Sequence, residues 1–310
     1  MGPKNGINPA IVSYFSLEEY IDRIYLKDNV LFHLEDINKK FDSYLKKITQ
    51  YTDYSVIYYW LDSLSKEIKC SEEIENHFIN PADVLKNDVF FDNTLMSHAR
   101  IKRLHQFVLS EEKIENYRTS DEEVRVSYYD KYNDEEVVYW NGALGSDVKK
   151  FMDDFIKIYK CSSVSFIHCN PFLKSALCFL LFIRIHPFLD GNGRTGRMIY
   201  NIKFTDLINK IYGTNLKLCP LNISQGILLF KPTYVKRLDD IYFDLEHDCN
   251  DEINKWFDFI LNIVDDVILF NSNRISSLEK AFDNLETMKD TDSSGLVDIS
   301  KKMRITRFRN

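Results

Sequence analysis

A mainly α-helical protein carrying one small β-hairpin is predicted from three observations. Apolar residues recur at helical spacing over most of the chain. Glycine and proline, the residues that interrupt helices, number only 10 and 7 among 310. One pair of β-prone runs, Val124 to Tyr129 and Val137 to Trp140, is separated by a polar turn and reads as a hairpin.

Taken in order, Asp36 to about Phe78 has no internal glycine or proline and places Phe41, Tyr44, Leu45, Ile48, Tyr54, Ile57, Tyr58, Leu61, Leu64, Ile68 and Ile74 at helical spacing, enough for two or three helices. Asn80 followed by Pro81 reads as a cap and first turn, so a short helix is expected to begin there. The next helix carries Ala99, Leu104, Phe107 and Val108 near one face, with His98 and His105 read as core or surface residues rather than ligands. An exposed edge of the hairpin that follows can capture an extended peptide by strand addition; equally, the hairpin can be a structural plug over one end of the core. Helices then resume at Ser146 to Tyr159 and Pro171 to Ile185, followed by a loop and a further helix to about Leu207. After a turn-containing segment, an amphipathic helix presents Ile253, Trp256, Phe257, Ile260, Leu261 and Val264 on its apolar side. Three segments are expected: an N-terminal helical region at 1–90, a core with the hairpin at 91–250, and a C-terminal helix with a basic tail, "KKMRITRFRN", at 251–310.

Composition limits the partners. Forty Lys and Arg against 47 Asp and Glu give a formal charge of −7, so nucleic acid is not an expected partner. The most apolar window, Pro171 to Ile185, is shorter than a bilayer span and contains Lys174 and Arg184, which reads as a buried helix and not a membrane anchor. Six cysteines without metal-ligand spacing, and an N-terminus without an apolar leader core, are what a reduced, cytoplasmic protein would show. Aromatic-rich helical faces leave a homodimer contact open.

The chemistry concentrates in "RIHPFLDGNGRTGRM", Arg184 to Met198. Pro187 biases His186 away from helix, so the preceding helix should end there with His186 at its exit. Gly191 and Gly193 let the backbone turn tightly and present bare N–H groups, and Asn192 between them tolerates turn geometry. Arg194 and Arg197 lie three apart, on one face of any helix that starts near Asn192 and close to its positive end. Together with Arg184 they should face an anion, with phosphate the obvious class. Asp190 adds a hard oxygen ligand suited to Mg²⁺ bridging phosphates, and neutral His186 can accept a proton.

His186 to Arg197, "HPFLDGNGRTGR", resembles the Fic family signature HPFx[DE]GNGRxxR, with every fixed position met. The resemblance extends over residues 30 to 265 and implies a Fic-type helical core in which the hairpin is a target-docking flap. It implies transfer of AMP from ATP to a Ser, Thr or Tyr hydroxyl of a target protein docked along residues 124–140, with pyrophosphate released. On that basis His186 is the base and Asp190 holds Mg²⁺. Gly191, Asn192, Gly193, Arg194 and Arg197 contact ATP phosphates, and Pro187 and Phe188 shape the loop. Upstream, Ser71, Glu75 and Asn76 match the family's [ST]xxxE[GN] inhibitory pattern, which implies that Glu75 pairs with Arg197 and holds the protein off. Two alternatives stay open: a phosphodiesterase that removes AMP from a modified protein, and a regulatory module that binds nucleotide or peptide without turnover.

Overall fold

The computed structural model describes residues 16–50, 54–75, 95–109, 114–119, 125–130, 135–161, 167, 170–216, 221–241 and 250–291. Among them are ten helices: α1 Leu17–Ile21, α2 Asp28–Gln50, α3 Tyr54–Ile74, α4 His98–Leu109, α5 Gly145–Lys160, α6 Pro171–Ile185, α7 Asn192–Tyr212, α8 Ile223–Leu229, α9 Lys231–Asp239 and α10 Asn250–Thr291. Strands β1 Arg125–Asp130 and β2 Glu135–Asn141 pair antiparallel, with Arg125 opposite Asn141 and Asp130 opposite Glu135, and an irregularity in register between Val126 and Ser127. Val124, Asn76, the Asn80–Pro81 start and the basic tail lie outside the described residues.

Helix α6 is the axis of the fold. Asn170 caps it, its side-chain oxygen accepting from the N–H groups of Phe172 and Leu173 at 3.0 and 3.1 Å, while Pro171 sits where no N–H is needed. All of its residues are buried, including both charged ones, so a run that is apolar on every side belongs in the middle of the helices. Lys174 reaches out of that environment to donate to the Ile158 carbonyl at 2.5 Å, and Lys203 of α7 donates to Tyr159 O at 2.8 Å. Two ammonium groups thus meet the negative end of α5.

Around this axis, Phe41 of α2 sets its ring edge-on to Phe172 and Phe204, with centroids 5.3 and 5.4 Å away. Trp256 of α10 is fully buried and donates its indole N–H to Ala176 O at 3.1 Å. α2 and α10 are joined by an ion pair between Lys40 and Asp265. One connected apolar core runs from Leu17 to Ile275.

Several expected boundaries shift. α7 continues past Leu207 to Tyr212 and stops where Gly213 takes φ 63°. α10 runs on through the residues after Phe270, where nothing before Gly295 breaks a helix. In α4 the inward face is Arg100, Ile101, Leu104, His105 and Val108, whereas Ala99 is exposed. The helix is rotated because His105 stacks beneath the loop that follows α6.

Candidate active site

α6 ends at the residue before Pro187. His186 is its C-cap, with its N–H still bonded to Phe182 O at 3.0 Å. Proline turns His186 out of the right-handed helix as expected, but into the left-handed region at φ 53°, ψ 62° and not into extended backbone. For a non-glycine residue that conformation costs about 1–2 kcal/mol and persists only where neighbours enforce it. The ring is oriented by Nδ1, which lies 3.2 Å from Ile183 O. As donor to that carbonyl, Nδ1 carries the proton, which leaves Nε2 as the acceptor. Burial pulls the His186 pKa down to about 4, with the Arg118 charge adding to the effect, so the imidazole is neutral at physiological pH.

The loop 187–191 is tied from within. Asn192 accepts from Phe188 N at 3.0 Å and donates to Phe188 O at 2.8 Å. Its side chain thus ties the loop to itself, one amide N–H and one oxygen lone pair being used on Phe188. The Phe188 ring is fully buried, stacked on His105 at 3.6 Å between centroids and met by the Tyr117 ring at 5.3 Å. His105 also contacts Asp190 O through Nε2 at 2.9 Å, so a histidine read from sequence as core or surface holds the loop from below. Asn192→Ala leaves an N–H and a C=O of Phe188 unmet in a buried place, and is expected to cost about 2–4 kcal/mol, read as a lower urea midpoint at unchanged slope.

Gly191 takes φ 69° as the N-cap of α7, and Gly193 follows one residue into the helix. A Cβ built on Gly193 would fall 2.1 Å from a carboxylate oxygen of Glu75. An anionic group therefore already rests against the N-terminal turn of α7, at the place where bare amides and the helix dipole favour negative charge. The same oxygen accepts from Arg197 at 3.0 Å. Arg197 is further gripped by Ser71, donating through Nε to Oγ at 2.9 Å and to the backbone carbonyl at 2.8 Å. Ser71, Glu75 and Arg197, expected as a set from sequence, are thus in direct contact.

A second pair was not foreseen. Arg194 donates to Glu72 at 3.2 Å, with both side chains buried, and to Asp190 at 3.3 Å. The signal for it was present: Glu72 and Glu75 have the same three-residue spacing as Arg194 and Arg197, so two faces of matching pitch meet. One turn earlier on α3, buried Glu67 accepts from Asn201, Ser224 N and the Ser224 hydroxyl at 2.9, 2.9 and 2.6 Å. Burial raises its pKa against the pull of those bonds. Lys231 closes the end of α3 by donating to Ile74 O at 2.5 Å.

Arg184 departs from expectation. It is buried and donates to Leu238 O at 2.8 Å, near the end of α9, so its guanidinium braces the core and reaches the site only through its charge, which helps to lower the His186 pKa. The Asp190 carboxylate is mostly exposed, with one oxygen accepting from Gly191 N at 2.6 Å. No cluster of three metal-ligating side chains forms among the described residues. A cation at Asp190 would therefore need phosphate and water oxygens to complete its shell, which suits Mg²⁺ carried with a nucleotide. No helix of the described residues is long and apolar enough to cross a membrane.

Comparison with known proteins agrees with this arrangement. Residues 95–202 match the Fic/DOC family. Among solved structures, a Fic family protein from Desulfovibrio desulfuricans G20 superposes with a TM-score of 0.59 at 16% identity, covering 81% of this chain and 76% of that one. A Fic domain containing signaling protein from Bacteroides thetaiotaomicron VPI-5482 gives 0.53 at 14% identity, covering 80% of this chain and 97% of that one. These likenesses speak to the fold, and the match at 95–202 encloses the whole loop from His186 to Arg197, so that over this segment the chain is similar to the Fic/DOC family.

Proposed function

We propose that this chain is a self-inhibited protein adenylyltransferase that moves AMP from ATP to a Ser, Thr or Tyr hydroxyl of a target protein. The Fic family typically transfers AMP or other nucleoside monophosphates onto proteins. The observation that carries the reading is the Glu75 carboxylate seated on Gly193 and Arg197 at the head of a complete HPFx[DE]GNGRxxR loop. A carboxylate is a reasonable stand-in for a phosphate oxygen, so the residues present fit a nucleotide's phosphate chain.

In this mechanism the N-terminal amides of α7 with Arg194 and Arg197 hold the phosphates, which is positioning and charge stabilisation above all. Asp190 would hold Mg²⁺, which when bound neutralises phosphate charge. The target oxygen attacks the α-phosphorus, the bond from that phosphorus to the bridging oxygen breaks, pyrophosphate leaves, and the hydroxyl proton goes to Nε2 of His186. Strands β1 and β2 form a two-stranded sheet with outer edges on which an extended target segment can dock. Glu75 holds the resting protein off: while it occupies Arg197 it takes a cation from the phosphate chain and repels that chain as a like charge.

The test is labelled-AMP transfer from α-labelled ATP with Mg²⁺. Wild type should label weakly, and Glu75→Gly at least ten times faster, giving an adduct of about 329 Da on the modified protein. Equal labelling by both proteins would remove the inhibitory role. Glu75 lies close enough to His186 to raise its pKa, so it could instead orient a water toward an AMP-modified side chain. In that case Glu75→Gly loses AMP removal and gains nothing in transfer.

A further inference from the structure

Three successive carbonyls around His186 converge on one residue outside the signature loop. The guanidinium of Arg118 donates through Nε to His186 O at 2.6 Å and through NH2 to Ile185 O at 3.1 Å, and the Arg118 backbone N–H donates to Pro187 O at 3.0 Å. NH2 also donates to Ala143 O, and Ala143 N–H returns to Ile185 O at 3.2 Å. Arg118 is almost fully buried.

The packing there leaves no slack. A Cβ on Gly142 would lie 2.6 Å from Arg118 NH2 and 2.9 Å from His186 Cβ. Chain order adds meaning to the contact: Arg118 precedes β1, whereas Gly142 and Ala143 follow β2 directly. The guanidinium therefore joins both ends of the hairpin excursion to the backbone that carries the imidazole.

We propose that Arg118 is the positioning residue for the reaction: it enforces the left-handed turn at His186 and fixes the base of the hairpin to it, so that a hydroxyl docked along the hairpin meets Nε2 in one geometry. The proposal rests on the transferase reading. A planar fork is required, because two neighbouring carbonyls must be met at once by groups of fixed spacing, and a lysine ammonium offers a single point charge. The last carbonyls of α6 also belong to the negative end of that helix, which a buried cation complements. The same charge contributes to holding His186 neutral.

The experiment uses the full chain with Glu75→Gly as background and adds Arg118→Lys and Arg118→Gln. For both, kcat for AMP transfer is expected to fall about 30-fold or more, a loss within the range that misplacement of a reacting group produces. The KM for ATP should stay within about twofold, because Arg194 and Arg197 are untouched. Rates are referred to the folded fraction measured by thermal unfolding, so a merely structural role predicts a lower melting temperature with normal kcat. Gly142→Ala, which drives a methyl into the same junction, should reproduce the kcat loss and serves if an Arg118 variant does not fold. A readout independent of turnover is the nitrogen NMR spectrum of labelled histidine, with His186 assigned by its disappearance in His186→Ala. The expected change in Arg118→Gln is loss of the single Nδ1–H form and an upward move of its titration midpoint. Unchanged kcat together with an unchanged His186 signal in folded variants overturns the role of Arg118 and leaves the transferase reading intact. Absence of transfer in every protein, with the His186 signal altered, sinks the transferase reading and retains the positional link.

Discussion

Replacing His186 with alanine in the Glu75→Gly protein is expected to lower AMP transfer by about 10³-fold, with nucleotide affinity nearly unchanged. Nδ1 of the imidazole is bound to Ile183 O, so Nε2 is the ring nitrogen left to accept a proton. The groups proposed to hold phosphate, Arg194, Arg197 and the amides at the start of α7, belong to the helix that follows the loop. The pH dependence tests the same atom. Burial holds His186 at about 4, below the ordinary 6.5, so the acid limb of kcat/KM should lie near pH 4, and the rate should be flat where a solvated histidine would already be losing it. A limb near 6.5 would show an exposed ring and remove the burial argument.

The same shift acts on stability, with a definite sign. The unfolded chain takes up a proton at His186 below pH 6.5, and the folded chain only below about 4. Between those values the unfolded state binds more protons, so the stability of the fold contributed at neutral pH is lost as pH falls through this window. His186→Ala removes that contribution. Its unfolding free energy should decline less than that of wild type between pH 7 and pH 4, measured by urea titration at each pH.

Local chemistry was legible in the sequence; contacts made across the chain were not. The bounds of α6 could be read from Asn170, Pro171, an unbroken apolar run and Pro187, because each of those signals acts within a turn of itself. The loop from Asp190 to Arg197 was legible for the same reason. Arg118 reaches a residue 68 positions away, His105 one 85 away, and Glu72 one 122 away. Arg118 and His105 have no neighbour in sequence that announces their partners, and Glu72 has only the spacing it shares with Glu75. Ser71 and Glu75 are as distant from Arg197, and were found only because a spaced pattern stood in for the missing spatial information. Asn192, read from its place between two glycines as a turn residue, also closes the backbone of Phe188 with its side-chain amide, a contact that nothing in the local sequence announces. Arg184 lies near the loop in sequence, but sequence alone does not show that its guanidinium turns to the Leu238 carbonyl.

Release from self-inhibition should be partial with Glu75→Gly alone and complete only with a second substitution. Glu75→Gly empties the contact with Gly193 and Arg197, but α3 remains held by Glu72 on Arg194, by Ser71 on Arg197 and by Glu67 on Asn201 and Ser224. Arg194 then still has a buried carboxylate at 3.2 Å, in surroundings where a charge pair is weakly screened by solvent. A phosphate must displace that carboxylate to use Arg194, whereas the contact with exposed Asp190 gives way easily. The expected order of transfer rates is wild type, then Glu72→Gln or Glu75→Gly, then Glu72→Gln/Glu75→Gly at about 10²-fold above wild type, the gain expected when a competitor worth about 2.7 kcal/mol is removed from the cation. Gln is chosen because it keeps the volume and a hydrogen-bond acceptor for Arg194 while losing the charge. Calorimetry of ATP binding separates the two carboxylates: if each blocks a different cation, the double variant should bind ATP more tightly than either single one. If Glu72→Gln adds nothing to Glu75→Gly in rate or affinity, Glu72 serves only to anchor α3, and the phosphate chain draws on Arg197 alone.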